Sequence, residues 1–385
     1  MKIVFNRQKL LGDITPLLCA VSNKSTIRSI EGILIEAIEP NTCVLTSYDT
    51  EKGVRITIDA KVIEGGSYII NAQKFVGTLK VMPGSEVTLA VDNTLNATFS
   101  SGTSSHRMSA INGSDFPELP KLRTNFGFTV SQHVVKEMIT KCQHAMAVAD
   151  PRPILNGCYF EIRSNSLLTI ACDSFRMAKC TTVTELENNN ENKSDLRFTF
   201  IIPARTVNEL LRMLDSDKEK DLKMRVYMSR RQIIFEIGRL TFFSSLIEGQ
   251  YLDYERILGT VSRRIVIKLD RNEAVECLER ASLITEEKIA GSICSHVKLN
   301  IESGVLKIHA ESPSGSTYDE IKLEHEGDNL LIAFRNRYLL DSLRACTADR
   351  IKISLSSNLS GIIIEPDEET ENDTEMFFLL PVKMK

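Results

Sequence analysis

FIIPARTVNELLRML, residues 200–214, reads as a short apolar strand followed by an amphipathic helix, with Val207, Leu210, Leu211 and Leu214 recurring at helical spacing. The same unit stands earlier as YIINAQKFVGTLKVM (68–82) and later as LLIAFRNRYLLDSLRAC (330–346). Measured from Ile70 to Ile202 and from Ile202 to Ala333, the offsets are 132 and 131 residues. A fixed period of that length means one domain repeated, not one element duplicated.

The neighbours of each unit repeat with it. An amphipathic helical pattern opens each copy, at NRQKLLGDITPLLCAVS (6–22), SQHVVKEMITKCQHAMAV (131–148) and DRNEAVECLERASLIT (270–285). A hairpin pattern follows in GILIEAIEPNTCVLTSYD (32–49), NGCYFEIRSNSLLTIACD (156–173) and HVKLNIESGVLKIHAES (296–312), alternating around a polar turn. Further strand patterns close each copy. The expected fold is therefore α+β: three repeated domains, each of antiparallel sheets with two helices. Joints are expected at 116–125, where SDFPELPKLRTN carries two prolines, and at 252–264. These place the domains at 1–123, 124–256 and 257–385. Two polar runs, ENNNENKSD (187–195) and EPDEETENDTE (365–375), read as solvated, mobile hairpin tips.

A chain of 385 residues exceeds what one core supports, in keeping with several domains. The amino-terminal stretch MKIVFNRQKLLGD is too charged for a secretory signal, and no run of about 18 apolar residues occurs, so a soluble cytoplasmic protein with no membrane partner is expected. Nine cysteines, Cys294 among them, are an odd number without a C-x-x-C pair and read as buried thiols in a reducing compartment. The six histidines fall in no ligand spacing, and phosphate-cradle, nucleophile-elbow and compact acidic motifs are missing. No metal, cofactor or catalytic residue is expected.

Net charge is −4, yet it is unevenly spread. The six helical patterns together carry +5, so the remainder carries −9; only 270–285 is an acidic helix, at −2. A mildly basic helical face on an acidic protein suits loose, sequence-independent phosphate contact.

Several stretches resemble the bacterial beta sliding clamp family, the DNA polymerase III beta subunits, in family order along essentially the whole chain. They are DFP (115–117), LNG (155–157), CDSFRMA (172–178), ELLRML (209–214), EGQYLDYERIL (248–258) and FFLLPVKM (377–384). The resemblance implies three domains of the DNA-clamp fold. It implies two chains closed head to tail into a homodimeric ring, with twelve helices lining the hole and sheets outside. It further implies a non-catalytic processivity factor that encircles double-stranded DNA and tethers the replicative polymerase. Expected DNA-facing residues are Lys24, Arg28, Lys74, Lys80, Lys136, Lys141, Arg152, Arg205 and Arg212.

The resemblance also implies an apolar pocket that takes a short hydrophobic motif from the polymerase catalytic subunit, the clamp loader, other polymerases and repair proteins. The matching positions are Leu155, Cys172, Ser174, Phe175, Arg176, Met177, Leu252, Tyr254, Arg256, Ile257, Leu359, Phe378 and Leu380, with Arg176 and Arg256 orienting the partner's polar atoms. Removal of the chain from Phe378 onward is expected to abolish peptide binding and spare the assembly. The chain departs from the family where Ser174 and Phe175 replace a common Gly-His, where Leu252 replaces a frequent Pro, and where Lys385 extends the terminus. The alternatives are a repeat scaffold that binds proteins without encircling DNA, and an enzyme on nucleic acid.

Overall fold

The computed structural model describes residues 1–22, 25–192, 194–285, 288–289, 292–293, 296–313, 315–368 and 372–384; Lys24, Cys294 and Lys385 lie outside these. The first copy runs β1 (Lys2–Asn6), α1 (Arg7–Ile14), β2 (Gly32–Ile38), β3 (Thr42–Tyr48), β4 (Lys52–Asp59), β5 (Lys61–Glu64) and β6 (Gly66–Asn71). It continues with α2 (Ala72–Val81), β7 (Glu86–Val91), β8 (Asn96–Ser101), β9 (Ser104–Ser109) and the short β10 (Ile111–Asn112). The second runs β11 (Gly127–Ser131), α3 (Gln132–Cys142), β12 (Gly157–Arg163), β13 (Ser166–Cys172), β14 (Arg176–Val183), β15 (Glu187–Asn188) and β16 (Arg197–Pro203). Then come α4 (Ala204–Met213), β17 (Lys223–Met228), β18 (Gln232–Ile237), β19 (Leu240–Ser245) and a short connecting helix, α5 (Tyr254–Leu258). The third copy opens with β20 (Ile265–Asp270), α6 (Arg271–Thr285), the two-residue β21 (Lys288–Ile289) and β22 (Ser292–Ile293), then β23 (His296–Glu302), β24 (Val305–Ser312), β25 (Gly315–Lys322) and β26 (Glu324–Glu326). It closes with β27 (Leu330–Arg335), α7 (Asn336–Ala345), β28 (Arg350–Leu355), β29 (Ile362–Pro366) and β30 (Asp373–Leu379).

Local chemistry starts the helices where the repeat expects them. Asn6 and Asn71 each cap a helix, their side chains accepting the backbone N–H of Lys9 and Lys74. The opening helix of the first copy is shorter than its apolar pattern, because Pro16 turns the chain into a 3-10 segment at Thr15–Ala20.

Packing divides the chain into two compact units. The first comprises Met1–Gln132, Glu187–Ser194 and Arg212–Leu246; the second comprises His133–Leu186, Asp195–Leu211 and Ile247–Lys385. The middle copy is shared because its strands complete two different sheets. In the first unit, a sheet ordered β10-β6-β2-β3-β4-β19-β18-β17-β11-β15 joins first-copy to second-copy strands through the antiparallel pair β4–β19. A five-stranded sheet, β5-β1-β7-β8-β9, accompanies it, and Phe75 of α2 meets Phe99 of β8 at 5.4 Å in the core. In the second unit, the order β16-β12-β13-β14-β30-β29-β28-β20-β26 joins second-copy to third-copy strands through β14–β30. A four-stranded sheet, β25-β24-β23-β27, lies with α6 and α7, and Asn336 binds those helices together by donating to the Leu278 carbonyl, Ser282 and Thr285.

One sequence expectation is corrected. The run from Glu187 is solvent-exposed at Glu187, Asn188, Glu191, Asn192, Ser194 and Asp195, yet it is not a free tip: β15 pairs with β11, Asn190 is buried, and its carboxamide oxygen accepts from the Gly127 amide at 3.0 Å; Lys193 lies outside the described residues. A polar side chain that replaces ladder hydrogen bonds looks identical in sequence to a solvated one. Of the second polar run, residues 369–371 lie outside the described residues, whereas Asp367 pairs with Lys268 at 2.7 Å.

Candidate functional site

The turn between β13 and β14 organises the candidate site in the second unit. Ser174 takes φ +78°, and the Asp173 carboxylate accepts the amides of Phe175 and Arg176 at 3.1 and 3.0 Å, an Asx turn that sends consecutive side chains opposite ways. Phe175 is left 47% exposed. Arg176 goes inward, its side chain 11% exposed, with Nε on Asp173 at 2.9 Å and Nη1 on Asp341 of α7 at 2.8 Å. Its guanidinium also lies 4.2 Å from the ring of Tyr338. Arg176 thus braces the turn against α7, its charge met by two carboxylates, where the sequence led us to expect it to orient a partner's polar atoms.

Beside this brace lies an apolar cluster. Met177 is placed opposite Cys172 on β13 and Phe378 on β30, which brings three of the expected side chains together by strand register alone. Leu155 reaches the same cluster from the 3-10 turn Pro153–Leu155, whose final carbonyl accepts the Ala147 amide. Leu252, Tyr254 and Ile257 pack on from the segment around α5, which Asp253 caps through the Arg256 amide. Gly361 is required here, because a Cβ would meet the Phe378 ring at 2.3 Å. Burial raises the proton affinity of the Cys172 thiol, which lines the cluster as a small apolar side chain.

Three apolar side chains of the expected set are exposed: Phe175, Leu380 (38%) and Leu359 (66%). Leu380 is tied to the turn by donating its amide to the Phe175 carbonyl at 2.8 Å. Leu359 belongs to an exposed serine-rich turn between β28 and β29, and Arg256 is exposed on α5 with no carboxylate partner among the described residues. The cluster also contains residues that the sequence reading missed, notably Ile154, Ile170 and Ile363, while α7 adds Tyr338 and Asp341 and the end of β27 adds Arg335. The amphipathic pattern showed that α7 exists, but nothing in it places Asp341 beside a residue 165 positions earlier.

Strand position also revises the expected terminal deletion. Phe378 and Leu379 belong to β30, hydrogen-bonded to β14 on one side and β29 on the other, so a cut at Phe378 removes core and not merely pocket.

The basic residues divide by environment. Arg28, Lys74, Lys80, Arg205 and Arg212 are exposed, Lys74 and Lys80 on the face of α2 opposite buried Phe75 and Leu79. Lys136 is half-buried on α3. Lys141 is a correction: its ammonium is buried between Glu137 at 2.7 Å and Glu375 at 2.8 Å, so it is not offered to phosphates. Burial alone would make that proton easier to lose, but the hydrogen bonds to both carboxylates prevail and hold it more tightly than usual. Arg152 is exposed, yet its guanidinium is engaged by Asp150 at 3.0 Å and by the Ser174 hydroxyl. Arg152 therefore supports the β13–β14 turn. No group of three or more potential metal-ligating side chains gathers among the described residues, and no described helix is long and apolar enough to cross a membrane.

Three family models match the chain in order: the N-terminal domain of the DNA polymerase III beta subunit over residues 1–120, its central domain over 129–253 and its C-terminal domain over 260–379. Beta sliding clamps of Staphylococcus epidermidis and Staphylococcus aureus are each 28% identical over 393 residues, covering all of this chain and 99% of theirs. Among solved structures, the DNA polymerase sliding clamp of Bacillus subtilis superposes with a TM-score of 0.90 at 23% identity. The sliding clamp of Pseudomonas aeruginosa bound to griselimycin gives 0.87 at 24%; both comparisons cover the whole of each chain.

Proposed function

Because this chain belongs to the family of DNA polymerase III beta subunits, we propose that two copies of it close head to tail around duplex DNA, forming the sliding clamp that tethers the replicative polymerase. The role is that of a processivity subunit and is not catalytic. One observation carries the ring. At each junction between copies, the third strand of one copy's central trio pairs with the last strand of the next copy's closing trio: β4 with β19, and β14 with β30. The same rule leaves β25 without a following strand and β9 without a preceding one, and each is an edge of its sheet. Pairing β25 of one chain with β9 of another repeats the internal junction across a subunit boundary, and doing so twice closes the assembly.

Within such a ring, DNA is retained by enclosure, so individual contacts can be weak. Arg28, Lys74, Lys80, Lys136, Arg205 and Arg212 are the residues we assign to phosphate contact, with Lys24 retained from the sequence pattern. Weak, sequence-independent contacts suit sliding, since tight phosphate pairs or base readout would pin the ring. The apolar cluster between the β13–β14 turn, α5 and β30 is the docking pocket for a short hydrophobic segment of the polymerase, clamp loader or repair proteins. Phe175, Leu359 and Leu380 at its rim supply apolar surface for that segment to cover.

The test is topological. Chain loaded by its cognate clamp loader onto nicked circular DNA is expected to remain with the circle through gel filtration and to fall off once the circle is linearised. Equal loss from circular and linear DNA would contradict encirclement.

A further inference from the structure

At the rim of the proposed pocket, two guanidiniums converge on two carboxylates, and a third stands beside them. Arg176 holds both Asp173 and Asp341, and Arg337 reaches Asp341 at 4.0 Å. Arg335 has no carboxylate partner among the described residues, although it is the most carefully placed of the three. Its Cζ lies 5.0 Å from the Phe175 ring centre and 5.3 Å from that of Tyr338, and its Nη1 donates to the Tyr338 hydroxyl at 3.2 Å. The two rings are 6.3 Å apart and tilted by 40°. Arg176 contacts Tyr338 as well, so cations and rings form one connected stack: Arg176, Tyr338, Arg335, Phe175.

This stack limits the freedom of a long side chain. A planar guanidinium held by rings loses less entropy when it forms a further hydrogen bond, and the edge donors beyond the one given to Tyr338 find no acceptor among the described residues. Phe175 connects the stack to the pocket, since its carbonyl accepts the amide of Leu380 and its chain continues through Arg176 into Met177 of the apolar floor. A cation without a counter-charge therefore stands beside an apolar docking surface.

We propose that Arg335 selects docking segments carrying a carboxylate next to their apolar residues, with Phe175 and Tyr338 as positioning residues that hold the guanidinium for it. The proposal rests on the peptide-docking reading of this pocket and adds a charge requirement to it. A neutral residue at the same place in the partner forgoes a charge-assisted, geometrically bidentate hydrogen bond. Arg335→Lys keeps the charge but lacks the planar fork, so it retains only part of the preference.

The experiment uses the full chain and fluorescein-labelled decapeptides containing a Leu-Phe pair, with a single Asp or its Asn counterpart scanned through the flanking positions. At one flanking position, Asp is expected to bind about tenfold tighter than Asn at low salt, as for a charge-assisted pair at a partly exposed site. In Arg335→Gln the Asp and Asn peptides are expected to bind alike. Binding of wild type with no Asp preference at any position, or a preference that survives Arg335→Gln, overturns the charge requirement and leaves the pocket standing. Failure of every peptide to bind overturns the pocket reading itself, and the proposal with it.

Discussion

His144 shows how one buried side chain sets the acid limit of the second unit. Its ring is buried 5.9 Å from that of Phe377; burial first, and the nearby Arg176 cation second, lower its proton affinity from 6.5 to about 4, against the opposing pull of Asp341 and the Lys141 backbone. In the unfolded chain this imidazole takes a proton as pH falls through 6.5, whereas in the folded chain it stays neutral until about 4. Stability from this residue is therefore complete above pH 6.5 and declines across that window, by about 3 kcal/mol at its foot. His144→Gln is expected to flatten the fall of the urea midpoint between pH 6.5 and 4; an unchanged slope would show that other groups govern acid sensitivity. The neighbouring Lys141 teaches the complementary lesson. In sequence it is one more lysine on a basic helix, and only its placement between Glu137 and Glu375 turns it into an internal ion pair. Formal charge along a helix is legible before folding, but whether a given charge faces water depends on a carboxylate more than 200 positions away.

At the scale of elements, the repeat made most of the fold readable. The helices expected in the second part of 68–82, 200–214 and 330–346 form at Ala72–Val81, Ala204–Met213 and Asn336–Ala345, because apolar spacing and the strand that feeds each helix are local properties. The short α5 was not foreseen: five residues are too few for a periodic signal, and its Asp253 cap resembles any turn. Strand pairing was equally hidden, since alternation marks a strand's faces without naming its neighbours. For the candidate site, Leu155, Cys172, Met177, Leu252, Tyr254, Ile257 and Phe378 meet in one cluster, while Arg176 turns inward and no sequence pattern pointed to Arg335 and Tyr338 beside them. Strand position also separates two deletions. A chain ending at Leu380 keeps all of β30 and is expected to fold, whereas one ending at Phe377 loses Leu379 and Phe378 from the middle of a nine-stranded sheet. Far-UV circular dichroism and thermal melting distinguish them; equal melting temperatures would mean that β30 contributes little to the second unit.

Across the whole molecule, one rule of strand addition is used inside the chain and left unfinished at its two ends. The edges β9 and β25 differ in charge in a way that favours meeting each other: β9 presents His106 and Arg107, and β25 presents Asp319 and Glu320, with Arg280 already on Asp319. Unlike charges on facing strands favour the pairing of these two different edges. The proposed ring closure would thus need no element beyond those already present, and it would cover two unpaired sheet edges. The most direct test is the solution mass of the purified chain by multi-angle light scattering over a concentration series. The ring predicts a plateau at twice the single-chain mass of 43.2 kDa that persists on dilution; a mass that stays at 43.2 kDa at every concentration would contradict it.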